Sequence, residues 1–180
     1  KLLSSSATTE AFDVSRESPE TIARYGATLN GMSLLAARRL VEAGVPFVTV
    51  FWSEEDEAVS KKCASGGGWD THANNFKSLK DSRMPPVDKA LPQLLIDLEQ
   101  RGLLENTLVC WFSDFGRTPQ VNGRGGRDHY PAAWTNFLCG ANIRGGQVIG
   151  ATDKIGSRPV DTPIEPPQVI ASIFKGMGID

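Results

Sequence analysis

The chain has 180 residues, of which 40% are hydrophobic and 22% are charged, and its formal net charge is −2. This composition is sufficient for one domain with a hydrophobic core. Because the chain is nearly neutral and has no basic stripe, nucleic acid and anionic membranes are disfavoured as partners. No apolar run approaches the roughly 18 residues of a membrane span. Three cysteines without close spacing indicate neither a disulfide framework nor a Cys-x-x-Cys metal site.

The N-terminal region contains a polar segment and then a helix. Residues 1–17 are rich in Ser and Thr, and we predict an extended leader before a single α/β domain over residues 18–180. The chain does not begin with Met, so we expect a piece of a longer protein. Ser18-Pro19-Glu20 is typical of a helix start. Apolar residues at helical spacing over residues 22–41 predict a helix that ends before Gly44.

The middle of the chain predicts a strand, a loop and a second helix. Residues 46–52 are β-branched and aromatic, which predicts a buried strand. Residues 53–68 predict a loop ending in a glycine hinge, which delivers Asp70 and His72. Residues 85–101 predict a helix that Pro92 should kink or divide.

The C-terminal part predicts three further strands and a last helix. The predicted strands cover residues 107–112, 134–139 and 147–150, and the helix covers residues 168–175. Helices alternating with apolar strands predict an α/β fold, a layered α/β/α domain with a largely parallel sheet. Ligands bind beyond the carboxyl ends of the strands in such sheets, and the acidic motifs follow apolar runs.

Both histidines of the chain lie close to an aspartate. Asp70 and His72 are two residues apart, Asp128 and His129 are adjacent, and Asp114 closes an apolar run. Histidine and carboxylate are usual ligands of divalent ions, so the pattern predicts a metal site.

Each motif also has a plainer interpretation. Asp70 and His72 would project to one face of an extended chain and hold one ion, or be a turn aspartate and a solvent histidine. Asp114 would be a ligand at a strand tip or a simple helix cap. Asp128 and His129 would point to opposite sides, one as a ligand and one as its support, or form a loop pair with a hydrogen-bonded histidine.

Three arginines surround a glycine-rich stretch at residues 122–126. Guanidinium groups suit phosphate or sulfate oxygens, and we expect this role for Arg117 and Arg127, with ordinary solvated charge as the alternative. Solvated charge is at least as good an interpretation of Arg124. No Gly-Lys-Ser/Thr follows the glycines, so this is not a Walker loop.

Several motifs together resemble the domain of unknown function family 1501, in the right order and over nearly the whole chain. They are Ala11-Phe12-Asp13, Tyr25-Gly26, residues 34–45, Trp69-Asp70-Thr71-His72, Asp114-Phe115-Gly116-Arg117-Thr118-Pro119 and Gly126-Arg127-Asp128-His129. That family is similar to the alkaline phosphatase and sulfatase superfamily, whose C-terminal portion this chain resembles. The resemblance implies an exported protein, periplasmic or extracellular, and a missing N-terminal portion that supplies the nucleophile.

The resemblance also implies a chemistry. It suggests that Asp70, His72 and His129 hold one divalent ion (Zn, Mn or Ca), and that Asp114 belongs to a second. Phe115 stands where the superfamily typically has His, which puts the second metal in question. The implied function is metal-dependent hydrolysis of a small anionic ester, sulfate or phosphate. The alternatives are a non-catalytic, metal-stabilised or metal-free binding module of an exported protein, and a purely structural surface protein.

Overall fold

A computed structural model of the protein describes residues 5–53, 68–141 and 143–179. Contacts within the chain define two compact units. Unit 1 contains Lys1–Leu103 together with Arg124–Gly126, and unit 2 contains Leu104–Gly123 together with Arg127–Asp180. The single domain expected over residues 18–180 stays a prediction.

Unit 1 is helical. The helices are α1 (Ser6–Phe12), α2 (Pro19–Tyr25), α3 (Leu29–Glu42), α4 (Asn75–Ser78) and α5 (Met84–Gln100), with a 3-10 turn at Val14–Arg16 and a π-helical turn at Leu79–Arg83. Helix α3 packs against α5, α2 contacts both of them, and α1 packs against α3. The buried hydrophobic side chains of the described residues all belong to this unit: Ala11, Tyr25, Leu34, Leu35, Leu40, Val87, Ala90, Leu94 and Leu98.

The extended conformation predicted for residues 1–17 is wrong where the structure describes them. Ser5 caps α1, because its Oγ accepts the Thr8 N–H at 3.1 Å. Ala11 is buried, and its carbonyl accepts a hydrogen bond from Arg39 Nε at 3.0 Å. The polar composition concealed a capped helix that docks through one small apolar residue.

The helix start at Ser18 is confirmed, since the Ser18 Oγ accepts the Thr21 N–H at 3.1 Å. Two helices follow instead of one. Gly26 adopts a φ of 74° and ends α2. The Thr28 Oγ1 then accepts the Gly31 N–H at 3.1 Å and caps α3. A second cap just after a glycine therefore divides an apolar pattern that looks continuous in sequence.

The buried strand predicted at residues 46–52 is wrong. The segment has no ladder partner among the described residues, and Phe47 and Phe51 are 65% and 83% exposed. β-Branched and aromatic residues favour extended backbone, but a strand also needs a paired neighbour. The loop predicted at residues 53–68 lies almost wholly outside the described residues.

The helix predicted at residues 85–101 is confirmed, as α5. Of the two outcomes expected at Pro92, division of the helix is wrong, because the helix continues through Pro92, and a kink stays a prediction. Pro92 and Asp88, four residues before it, are both exposed. The carbonyl that loses its helical partner is therefore on the solvent side, where water satisfies it.

Unit 2 is built from short strands and one helix. Its elements are a 3-10 turn (Leu104–Asn106), β1 (Val109–Trp111), β2 (Gly116–Arg117), β3 (His129–Tyr130), β4 (Phe137–Cys139), β5 (Ala151–Thr152), β6 (Pro159–Asp161) and α6 (Pro166–Gly176). The ladders are antiparallel and join β1 to β4, β2 to β3, and β5 to β6. The layered fold with a largely parallel sheet stays a prediction.

Most of the elements predicted for unit 2 are present. The strands predicted at residues 107–112 and 134–139 are confirmed as β1 and β4, although they are shorter and not buried. The edge strand expected at residues 147–150 begins only at Ala151. The last helix is confirmed, with a capping box in which the Glu165 N–H donates to Gln168 Oε1 at 2.7 Å. Over the described ranges, no helix combines the length and the apolar character that a membrane span requires.

Candidate functional site

Asp70 and His72 lie together in unit 1. His72 Nε2 is 3.0 Å from Asp70 Oδ1, and both side chains are partly exposed. The chain turns tightly here, because the Thr71 N–H donates to the Trp69 carbonyl at 3.0 Å. Thr71 is buried and donates from Oγ1 to Asn75 Oδ1 at 2.6 Å. Thr71 thus anchors the turn inward, while its two neighbours bring an oxygen and a nitrogen to the same partly exposed place.

A short glycine-rich segment, Arg124–Gly126, holds this turn within unit 1; we name it the strap. Gly125 forms an antiparallel bridge with Ala73. The Asn75 N–H donates to the Gly125 carbonyl at 3.0 Å, and the Asn74 N–H donates to the Arg124 carbonyl at 3.2 Å. These contacts attach the strap to the residues that directly follow His72.

Gly126 allows the strap to lie close to the main chain of His72. A Cβ added at Gly126 would lie 2.1 Å from the His72 carbonyl carbon and 2.4 Å from the Ala73 nitrogen. Real Cβ atoms do not approach backbone so closely, and backbone cannot swing aside as a flexible side chain does. Position 126 therefore requires glycine.

His129 lies in unit 2, in the β2–β3 pair. The register places Gly116 opposite Tyr130 and Arg117 opposite His129. The His129 side chain is exposed, and its ring lies against Phe115 with centroids 4.1 Å apart and an interplanar angle of 33°. The second of the two histidines is thus on a strand, next to an aromatic ring, which the plainer loop interpretation did not anticipate.

A hydrogen bond outside the β2–β3 ladder also holds the strand of His129. The Tyr130 hydroxyl donates to the Ser157 carbonyl at 2.5 Å. The Ser157 N–H in turn donates to Asp153 Oδ1 at 2.7 Å. The hydroxyl and the amide of Ser157 both lower the pKa of Asp153, so that this carboxylate stays ionised and keeps the turn closed. Tyr130 is therefore fixed to a hydrogen-bonded turn, and His129 precedes it by one residue.

Arg117, Arg127 and Asp128 lie around the same strand pair in unit 2. Arg117 Nη1 donates to the Arg127 carbonyl at 3.2 Å. The Asp128 carboxylate accepts from Asn122 Nδ2 at 3.2 Å, and its backbone N–H donates to Thr118 Oγ1 at 3.1 Å. Because Asp128 takes part in this local network, His129 is the better candidate ligand of the pair. The roles predicted for Arg117 and Arg127 at an anion stay predictions.

Asp114 occupies the bend between β1 and β2. Its side chain is exposed, and Oδ1 accepts the N–H of Phe115 at 3.1 Å. The Ser113 hydroxyl donates to the Phe115 carbonyl at 2.7 Å across the same bend. The helix-cap interpretation is wrong, since a strand follows Asp114. Its role as a metal ligand stays a prediction.

Sequence reasoning missed the residues that support the candidate ligands. Thr71, Gly126 and Phe115 touch or border a candidate ligand through backbone, sterics or ring contact, and none of them carries a carboxylate, an imidazole or a thiol. The four-residue spacing of Thr71 and Asn75 was no signal for their contact, because that spacing brings side chains together within a helix and α4 begins only at Asn75.

Comparison with known proteins gives a family and no function. Neither a curated protein nor a solved structure matches the chain. A family model described as "Protein of unknown function (DUF1501)" matches residues 2–180. The match covers almost every residue, including the turn of His72, the strap and the strand of His129. The chain therefore belongs to the DUF1501 family.

Proposed function

We propose that Asp70, His72 and His129 hold one divalent ion, and that the protein is a metal-dependent hydrolase of sulfate or phosphate esters or carries part of its active site. Each of the three residues offers one ligand atom, a carboxylate oxygen or an imidazole nitrogen. Three protein ligands that leave a further position open are typical of a catalytic zinc site. The proposal goes beyond family membership, because the family description assigns no activity.

The observation that carries the proposal is the packing of Gly126 against the backbone of His72. Gly126 belongs to unit 1 and would collide with His72 if it carried a Cβ. His129 follows only three residues later, and three residues of extended chain reach at most about 11 Å. The strap therefore limits how far His129 can lie from the Asp70–His72 pair. Covalent geometry supports the shared site.

The donor set favours some ions over others. One carboxylate and two imidazoles suit zinc, and they also suit manganese. Calcium is the poorest fit among the predicted ions because it takes six to eight oxygen ligands. When bound, such an ion acts as a Lewis acid on an ester oxygen and lowers the pKa of coordinated water.

The anionic group of the ester would be bound by arginine. Arg117 lies opposite His129 in the ladder, and one of its N–H groups donates to the Arg127 carbonyl. A guanidinium has five N–H donors in a planar fork, and this bond helps to set the orientation of that plane. We propose that Arg117 and Arg127 bind the non-bridging oxygens and stabilise the charge that develops on them.

Metal titration tests the proposal. We expect wild-type protein to bind one Zn²⁺ by calorimetry, with binding weakened at least about tenfold in Asp70→Ala, His72→Ala and His129→Ala. Asp88→Ala, which removes an exposed carboxylate from the surface of α5, is the matched control and should bind like wild type. Absence of binding, or equal binding by all four variants, would reject the site. Asp114→Ala, measured in parallel, tests the second ligand set: a second ion in wild type that this variant loses would support it.

One observation favours a second candidate, a metal-stabilised binding module without hydrolytic activity. Phe115, the residue after Asp114, carries no ligand atom and packs against His129. Turnover of aryl sulfate and aryl phosphate esters by the longest natural form of the chain separates the two candidates. Metal-dependent turnover that Arg117→Ala reduces supports a hydrolase, and metal binding without turnover supports the module. Export would be tested in the same natural form by its appearance outside the cytoplasm.

A further inference from the structure

We propose that Phe115 is a positioning residue for His129, and that it holds the imidazole in the orientation in which it binds the metal. The inference rests on the proposed function, because it concerns a ligand of the same site. The contact on which it depends lies wholly within unit 2 and consists of two rings with centroids 4.1 Å apart.

The register explains why these two side chains meet. Gly116 is opposite Tyr130 and Arg117 is opposite His129, so Phe115, one residue before the ladder, is the diagonal neighbour of His129. Side chains two residues apart on a strand project to the same face. Arg117 and Phe115 therefore share the face of His129, and diagonal neighbours are within reach when one of them is aromatic. The backbone pairing therefore brings the two side chains within contact distance.

The neighbouring glycine strengthens the arrangement. A Cβ at Gly116 would lie 2.1 Å from the Ala133 carbonyl oxygen, so the chain after Tyr130 folds tightly over this position. The ladder pairs both residues of β3, and the Tyr130 hydroxyl is also bonded to the Ser157 carbonyl. The backbone of His129 is thus held, and rotation about its side-chain bonds is where Phe115 acts.

Phe115 restricts that rotation. The His129 side chain is exposed, and an exposed imidazole samples several rotamers when no neighbour packs against it. A tilted ring packed against the imidazole excludes the rotamers that would occupy the same space. Groups that orient a ligating histidine typically change metal affinity by 10- to 100-fold when they are removed. The Phe115 side chain would act by packing alone, since its ring has no hydrogen-bonding atom.

Two measurements on Phe115→Ala and Phe115→Leu test the inference. In the metal-free protein, the His129 ring protons should show an upfield ring-current shift by NMR that both variants lose; His72→Ala assigns the two histidines. Zinc affinity should fall about tenfold in both variants, and Phe115→Tyr, which restores a flat ring, should recover it. Phe112→Ala removes a more exposed phenylalanine three residues upstream, and should change neither quantity.

The outcomes separate this inference from the proposed function. If wild type binds no zinc, the proposed function fails whatever the NMR shows, and this inference fails with it. If wild type binds zinc and the folded Phe115→Leu protein loses the ring-current shift but keeps its affinity, the positioning role is overturned and the metal site stands. If Phe115→Ala does not fold, the Phe115→Leu and Phe115→Tyr pair still decides, because leucine fills similar space without providing a ring.

Discussion

The two units of the molecule are stabilised in different ways. Unit 1 contains every buried hydrophobic side chain of the described residues, packed between helices. Among the described residues of unit 2, none is buried, and the strands are two or three residues long. Unit 2 thus depends on ladders, turns and single hydrogen bonds, and unit 1 depends on a packed interior. Of the candidate ligands, Asp70 and His72 belong to unit 1, which has the packed interior, and His129 belongs to unit 2.

Unit 1 also has a charged centre. Arg38 is almost fully buried, and its guanidinium forms ion pairs with Glu42 at 2.6 Å, Glu17 at 2.9 Å and Asp97 at 3.2 Å. The Tyr25 hydroxyl donates to Asp97 at 2.9 Å. Burial, followed by the neighbouring Asp97, raises the pKa of Tyr25, so this hydroxyl stays protonated and remains a donor. The comparison teaches that a network of this kind joins α2, α3 and α5 with Glu17, the residue after the 3-10 turn, while each of the bonds described in unit 2 joins two segments.

The largest expected effect tests the contrast in packing directly. Leu98 is 1% exposed in unit 1, and Val148 is 94% exposed in unit 2. Leu98→Ala should lower the free energy of unfolding by about 3 kcal/mol, because it removes buried methyl groups and leaves a cavity. Val148→Ala should change it by less than about 0.5 kcal/mol. Urea unfolding followed by circular dichroism measures both, and similar losses in the two variants would contradict the comparison.

The sequence predicted helices better than strands, for a physical reason. A helix satisfies its own backbone, so caps such as Ser18 and stops such as Gly44 locate it from local residues alone. A strand depends on a partner that may be far away in sequence. Residues 46–52 have the right composition but no ladder among the described residues. Residues 129–130 do form a strand, although no apolar pattern in the sequence predicts the strand pair to which they belong.

Of the residues at the candidate site, only the candidate ligands could be predicted from the sequence. Histidine and aspartate are recognisable by type, so Asp70, His72 and His129 could be selected from the sequence. The supporting residues act through shape, which composition does not encode. Gly126 matters because of the space it leaves beside His72, and Phe115 because of the ring it faces. Such roles depend on which backbones approach each other.

The next prediction concerns the strap, where the chain briefly joins unit 1 before β3. Gly126→Ala should destabilise unit 1 by about 2 kcal/mol, because the new Cβ collides with the backbone of His72. It should also weaken zinc binding more than tenfold, since the strap limits the position of His129. Calorimetry would measure the zinc affinity. The loss of stability would appear as faster hydrogen exchange of the Asn75 amide, which donates to the Gly125 carbonyl in the strap.

A matched control lies three residues away. A Cβ at Gly123 would meet nothing within 4 Å, so Gly123→Ala should leave stability and affinity almost unchanged. If Gly126→Ala bound zinc as tightly as Gly123→Ala, the strap would have no part in the site. The two candidate ligand regions would then be independent of each other.

The smallest expected effect is on stability and concerns Glu17, a carboxylate in the charged centre of unit 1. Burial alone would raise the pKa of Glu17, but hydrogen bonds and charge from Arg39 and Arg38 outweigh it and hold that pKa below its ordinary value of 4.5. A lowered carboxyl pKa contributes stability above the ordinary value, and the contribution is lost as the pH falls through the lowered one. Glu17→Gln should therefore cost about 1 kcal/mol at neutral pH. It should also make the decline of stability below pH 4.5 shallower than in wild type.

Urea unfolding at several pH values between neutral and acid measures this decline, with hydrogen exchange in α5 reporting on unit 1 alone. Glu20→Gln is the control, because Glu20 is 75% exposed and its pair with Arg24 lies on the surface, where ion pairs contribute little. If the free energy of unfolding declined as steeply in acid for Glu17→Gln as for wild type, protonation of Glu17 would not be a cause of that decline. The stability of unit 1 in acid would then depend on its apolar packing. The two units would differ in how much surface they bury, and the charged centre would add nothing to that difference.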